Sequence, residues 1–460
     1  MKQDEVIVAL ASGTSKSAIS IVRLSGQNAL DIAYRFLKPQ ATGGLKNQDS
    51  PLVPRQASLR EIYDSKGRLL DKGIVIYFKA PHSFTGEDVV EIQSHGSPLL
   101  ARDILESAID FGARLALPGE FSKRALVNNK LGLLELEATL ALINNTNTNL
   151  TPLIARNLTG EGARLLNSSR ETILEVVAQI EVNIDYSEEA LDEGILAGAL
   201  GRLDSLQKSF SAILESSASY ARLQGLKLSI IGRPNVGKSS LLNLLLLRDR
   251  AITSDLAGTT RDVVTENLEI KGNVVSISDT AGIRAGEDEI EKEGIKRSLE
   301  EARESQILIC VFDLSSPMQS EDYEVLEFLN QDSIKQKSII VALNKSDLAR
   351  KNTHDFSGFK PCFVSSKDIK SREILIDRIH THLSLDIESE TLVLTNTRQT
   401  SLLQAALNCI KKAPKLLENG ELELASFELM QALREIAEIT KPCDIEEVLD
   451  SMFSQFCVGK

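Results

Sequence analysis

The stretch GRPNVGKS, Gly232 to Ser239, constrains this chain more than any other. It follows the apolar run LKLSII and leads into LLNLLLL, so a buried strand enters a tight loop and a helix leaves it. The spacing G-x-x-x-x-G-K-[ST] suits a loop whose backbone N–H groups wrap phosphate oxygens at a helix N-terminus. Lys238 reaches the β and γ oxygens and Ser239 offers a hydroxyl to Mg²⁺, with Asn235, Val236, Gly237 and Ser240 completing the contacts.

Two further signals complete the nucleotide site, and the second gives the base. Asp279-Thr280-Ala281-Gly282 close the run VVSIS, where Asp279 can hold the metal through water and Gly282 can sense the γ-phosphate. Asn344-Lys345-Ser346-Asp347 close the run SIIVAL, where the Asp347 carboxylate can accept both N1–H and the exocyclic amine of guanine, which adenine does not offer. Ser365 and Ser366 stand where a backbone amide would meet guanine O6. Any one of these is readable as an ordinary polar loop, but the three in this order on strand ends specify GTP. The combination resembles the Ras-like GTPases across residues 217–382. On that resemblance DLAGTTRD, Asp255 to Asp262, is the first switch loop, with Thr260 as the second hydroxyl on Mg²⁺ and Ser254, Leu256, Ala257, Gly258 and Thr259 around the nucleotide.

Hydrolysis needs a device of its own, because Ile283 follows DTAG where a Ras-type enzyme has the glutamine that positions water. The loop AGEDEIEKEG offers Glu287, Asp288, Glu289, Glu291 and Glu293 as acids, each equally readable as part of a solvated helix start. Asn235 can give an oxygen to a monovalent cation near the phosphates, or merely shape the loop.

Around this domain the texture changes. Residues 1–117 mix β-branched stretches such as AISIVRL and KGIVIYF with one helical run, PLLARDILESAIDFG, an α+β pattern. From 118 to 216 the pattern is helical, with Leu166, Ile173, Val177, Ile180 and Ile184 lining one face. Helical periodicity returns over 383–460 through Leu403, Leu407 and Ile410, then Leu429, Leu433 and Ile436. The expected fold is therefore multidomain: an α+β N-terminal domain, an all-α helical domain, and a doubly wound α/β domain inserted into the helical one.

Charge and composition narrow the function. A net charge of −13 requires any nucleic-acid partner to meet a local basic patch. Five scattered cysteines make no metal or disulfide framework and read as reduced thiols of a cytoplasmic protein. MKQDEVIVAL lacks the basic start and long apolar core of an export signal, and no run reaches ~18 apolar residues, so neither secretion nor a membrane span is expected.

Four long stretches carry a closer resemblance: PHSFTGEDVVEIQSHGSP (81–98), LPGEFSKRALVNNKLGLLELEA (117–138), IDYSEE (184–189) and the terminal FCVGK. With GRPNVGKSSLLN and GTTRDV they resemble the tRNA modification GTPase MnmE family from residue 4 to residue 460. That resemblance implies a folate-binding N-terminal domain that makes a homodimer, and a heterotetramer with the FAD-dependent protein MnmG. It implies an aminomethyl or carboxymethylaminomethyl group added to C5 of the wobble uridine of tRNA, with the carbon from a 5-formyl- or methylene-tetrahydrofolate and the amine from glycine or ammonium. It further implies K⁺ held by Asn235 and by the loop at Ser254, Leu256 and Thr259, catalysis by Glu291, and folate contacts from Arg23, Glu91, Lys130 and Lys460.

Some segments depart from the family pattern: ASGTSKSAIS replaces a Gly/Pro-rich turn, and KPCDIEEVLD precedes the tail. Two rival functions weaken on the residues. An RNA-binding switch would carry a basic module where this chain has PHSFTGEDVVE, and a prenyl anchor at Cys457 fails on Gly459 and Lys460.

Overall fold

The computed structural model describes residues 5–37, 51–185, 193–246, 265–278, 299–300, 302–383 and 391–442. The chain divides into two compact units, one of Met1–Leu140, Arg156–Lys208 and Thr397–Lys460, the other of Ala141–Ala155 and Ser209–Asn396.

The first unit opens with a six-stranded sheet of β1 (Ile7–Leu10), β2 (Ile19–Ser25), β3 (Ser58–Tyr63), β4 (Leu69–Phe78), β5 (Val89–His95) and β6 (Arg114–Leu115), in the order β3-β4-β5-β2-β1-β6. Neighbours run antiparallel except β1 and β6. The period-2 alternation of the strands assigns each face. Val6, Val8, Val22, Leu24, Val90 and Ile92 pack under Ile32 and Phe36 of α1 (Ala29–Phe36) and Ile104 and Ala108 of α2 (Pro98–Asp110). The opposite face gathers Ile7, Ala9 and Ala116 around Phe121 of α3 (Glu120–Val127). Truncating Phe121, which is fully buried, would cost about 3–5 kcal/mol. In the divergent loop, Ser12 Oγ accepts the Ile21 N–H at 3.1 Å, so a serine hydroxyl helps to hold this turn.

Helical segments follow: α4 (Leu133–Asn144), α5 (Thr151–Leu158), α6 (Glu161–Asp185) and α7 (Glu193–Leu223). On α6, Leu166, Ile173, Val177 and Ile180 are buried as their spacing requires, while Ile184 is only half-buried. Helix Leu422–Thr440 packs on α6 and on Thr397–Glu418, burying Leu429, Leu433 and Ile436 beside Leu403, Leu407 and Ile410. Helices drawn from both sides of the second sheet in the sequence thus pack on one another, the arrangement expected when an α/β domain is inserted into a helical one.

The second sheet contains β7 (Lys227–Ile231), β8 (Thr265–Ile270), β9 (Asn273–Ser278), β10 (Ile307–Asp313), β11 (Ser338–Asn344) and β12 (Cys362–Phe363), ordered β12-β11-β10-β7-β9-β8. All pairs are parallel except β8 with β9. Five of these strands, β7, β9, β10, β11 and β12, match the runs LKLSII, VVSIS, ILICVFDLS, SIIVAL and PCFVSSK of the sequence. The sixth, TENLEI, escaped that reading because this edge strand carries only two apolar residues, Leu268 and Ile270, and no continuous apolar run. β10 is buried along its whole length, so both faces of the sheet are covered. No described helix is long and apolar enough to cross a membrane.

Candidate functional site

The strand order reverses at β7, the switch point where a doubly wound sheet opens a crevice beyond the strands' carboxyl ends. The phosphate loop leaves β7 there and enters α8 (Lys238–Leu246), whose first turn supplies unpaired N–H groups and a partial positive charge of about half an electron. Asn235 takes the left-handed conformation at φ 61°, one an asparagine tolerates, and stands exposed with Ser239 and Ser240. Gly237 has φ +100°, and a Cβ on it would run into the Asn344 side-chain amide. Lys238 Nζ donates to Gly232 O and Arg233 O, both at 2.9 Å, so the loop's own carbonyls hold the lysine.

The base loop locks onto the phosphate loop. Buried Asn344 donates from Nδ2 to Val236 O at 2.7 Å, and its buried Oδ1 has no hydrogen-bond partner among the described residues. Asp347 is exposed, and Ser365 Oγ donates to its Oδ1 at 2.8 Å with Lys367 Nζ 3.6 Å from Oδ2. The Ser365 bond, joined by the Lys367 charge, holds the Asp347 carboxyl below the usual carboxylate range, so it is an anion at neutral pH. The Ser365 N–H is donated to Ser371 Oγ at 2.8 Å. Of the two serines expected near guanine O6, this engagement favours Ser366.

Lys345 Nζ meets Asp313 Oδ2 at 2.7 Å, and Ser315 donates to Oδ1 through N–H and Oγ at 2.8 and 2.7 Å. Burial pushes the Asp313 carboxyl up, but these hydrogen bonds outweigh it and hold the group below its ordinary value. Sequence reasoning missed Asp313, since nothing in VFDLS marks it before the fold brings it to Lys345.

On the N-terminal sheet, Arg23 of β2 and Glu91 of β5 are register partners on the face that carries Phe121. Arg23 Nε and Nη2 lie 2.9 and 2.8 Å from Glu91 Oε1, and the guanidinium stands 5.6 Å from the Phe84 ring and 5.9 Å from the Phe121 ring. Asn128 Nδ2 donates to Thr85 O at 2.6 Å, drawing the NNK turn onto the Phe84 loop. A Cβ on Gly86, at φ +79°, would come within 3.2 Å of Lys130 Cε. Beside this face Arg124 Nη1 meets Glu87 Oε2 at 2.8 Å, and Ser25 Oγ donates to the same oxygen at 2.8 Å.

Residues 6–130 match the family described as GTP-binding protein TrmE N-terminus, and residues 133–457 match the MnmE helical domain. A tRNA modification GTPase MnmE from Sulfurovum sp. (strain NBC37-1) is 42% identical, with 100% of this chain and 99% of the relative covered. The chain belongs to the tRNA modification GTPase MnmE family. A relative of the same name from Helicobacter pylori (strain HPAG1) is 41% identical over 100% of this chain and 98% of its own length. The G domain of the T. maritima FeoB iron transporter covers 35% of this chain and all of its own at 23% identity and a TM-score of 0.26, too low to bear on the fold.

Within this MnmE-family chain, the residues expected at the nucleotide fall into two groups. Asn235 to Ser240 lie on the loop after β7 and the first turn of α8, and Asn344, Lys345, Asp347, Ser365 and Ser366 at the end of β11 and on the loops after β11 and β12, joined to them through Asn344 and Val236. Ser254 to Thr260, Asp279 to Gly282 and Glu291 lie outside the described residues, as do Cys457 and Lys460, the latter expected at folate. Arg23, Glu91 and Lys130 are gathered near the Phe84 loop. Among the described residues no group of three or more His, Cys, Asp or Glu can hold a metal ion.

Proposed function

We propose that this tRNA modification GTPase hydrolyses GTP in a K⁺- and Mg²⁺-dependent way and works in the cytoplasm. It would act as a homodimer and with the FAD-dependent protein MnmG in a heterotetramer. Together they would add an aminomethyl or carboxymethylaminomethyl group to C5 of wobble uridine 34 of tRNAs, using a tetrahydrofolate one-carbon unit. The observation that carries this reading is the full-length family match of a chain whose phosphate and base loops are joined through Asn344 and Val236.

In this reading Lys238 releases its two loop carbonyls to meet the β and γ phosphates, and the Asp347 carboxylate accepts the guanine N1–H and amine. The buried, unsatisfied Asn344 Oδ1 suits a pocket that a base completes. The exposed Ser239 hydroxyl at the helix start fits Mg²⁺, with Thr260 as its second hydroxyl and Asp279 acting through water. Exposed Asn235 fits K⁺, with Ser254, Leu256 and Thr259. When bound, the two cations neutralise charge developing on the β and γ phosphates. Glu291 orients the attacking water, in place of the absent glutamine.

Both Arg23 contacts fall on Glu91 Oε1, which leaves Oε2 to accept from a pterin, while Arg23, Lys130 and Lys460 meet the acidic tail of the folate. The division that accompanies this reading is 1–117 for folate and dimerisation, 118–216 with 383–460 for the helical domain, and 217–382 for the GTPase domain.

Nucleoside analysis of total tRNA from a deletion strain tests the proposal: C5-modified wobble uridines should disappear, and an unchanged profile would overturn it. Turnover of the purified protein should be high in K⁺ and low in Na⁺, whereas equal rates would remove the potassium role from Asn235. Glu291→Ala should lower kcat by about 10²–10³-fold at unchanged GTP affinity. A matching loss of affinity would make Glu291 structural.

A further inference from the structure

Arg233 is the variable second residue of the phosphate loop, a position the loop chemistry leaves open. Here its side chain is 9% exposed and reaches three elements. Its Nε lies 3.0 Å from Asp322 Oδ2, on the first turn of helix Ser320–Leu329. Its Nη2 donates to Ser316 Oγ at 2.6 Å and stands 3.6 Å from Asp313 Oδ2, at the end of β10. The same Asp313 oxygen takes Lys345 Nζ of the base loop. Meanwhile Arg233 O is one of the two carbonyls that hold Lys238 Nζ.

Stability alone is a weak reason for this arrangement. Two buried carboxylates around one guanidinium roughly break even against apolar side chains of similar volume, because desolvation offsets the attraction. What the ionic cluster gives is direction, since a planar guanidinium satisfied on several edges has one orientation.

We propose that Arg233 is a positioning residue of the GTP site, which through Asp313, shared with Lys345, couples the phosphate loop to the guanine loop. The proposal rests on the GTP-site reading above. Loosening Arg233 would displace the carbonyl beside Lys238 and release the Asp313 side of Lys345, so grip on the phosphates and discrimination of the base would weaken together.

The test uses the full chain and measures Kd for GTP and for ITP, whose base lacks the exocyclic amine. The variant is Arg233→Met with Asp322→Asn, which leaves no carboxylate unpaired at Asp322. GTP affinity should fall about tenfold and the preference for GTP over ITP about threefold, with Arg233→Lys recovering part of both. Ser316→Ala, which removes one anchor without changing charge, should lower GTP affinity about twofold to threefold and keeps the test open if the double variant does not fold. Unchanged affinity, or GTP and ITP weakened by one common factor, would overturn the proposal. Failure of the underlying GTP-site reading looks different: Lys238→Ala would then bind GTP as the wild type does.

Discussion

In the function proposed, the phosphate loop and the Arg23–Glu91 pair would hold charged ligands with different materials. At the phosphate loop the main chain would offer its N–H groups to the ligand, its carbonyls hold Lys238, and side chains such as Asn344 and Arg233 serve to fix it. On the N-terminal sheet the backbone is committed to strand pairing, and only side chains projecting from adjacent strands are left to meet a ligand. A backbone site imposes a spacing and glycines on the sequence, because the chain itself must take special conformations. A side-chain site asks only that two residues, 68 positions apart here, become neighbours in a sheet.

Perturbing one region at a time should break the comparison cleanly. The largest effect is expected from Gly237→Ala, which puts a methyl against the Asn344 amide at a φ that alanine avoids. GTP affinity should fall by about 100-fold or more, read by titration with a fluescent nucleotide, while folate affinity stays unchanged. The converse is Arg23→Ala, which removes two contacts to Glu91 and the contacts with Phe84 and Phe121. Tetrahydrofolate affinity should fall about tenfold in calorimetry, with GTP turnover intact. A loss of GTP turnover on Arg23→Ala would show that the two regions are not independent.

The smallest effect concerns acid. Asp313 has a folded pKa below its unfolded value of 3.8, so its contribution to stability is present above that pH and is lost as the pH falls through the lower folded value. Thermal unfolding followed from pH 5 downward should fall less steeply in Asp313→Asn than in the wild type. Equal slopes would mean that Lys345 and Ser315 do not stabilise the anion.

The same contrast explains what the residues disclosed in advance. GRPNVGKS placed a strand, a loop and a helix because each position carries a steric or hydrogen-bonding demand, and β7, the loop and α8 follow that order. NKSD and the two serines were legible as strand-end loops, but that Ser371 engages the Ser365 amide depended on the turn into the next helix. Arg23 and Glu91 read as ordinary strand charges until the family resemblance singled them out. Arg233 and Asp313 carried no signal at all, since their meeting depends on β10 lying beside β7 in the sheet. TENLEI stayed hidden for the related reason that an edge strand lacks the continuous apolar run of its neighbours.

The proposed function joins GTP hydrolysis to tRNA modification in one chain. Its most direct measurement is nucleoside analysis of tRNA from a deletion strain complemented with the wild-type chain or with Lys238→Ala. The account predicts that the wild type restores the C5-modified wobble uridine and that Lys238→Ala, expressed to the same level, does not. Full restoration by Lys238→Ala would contradict it.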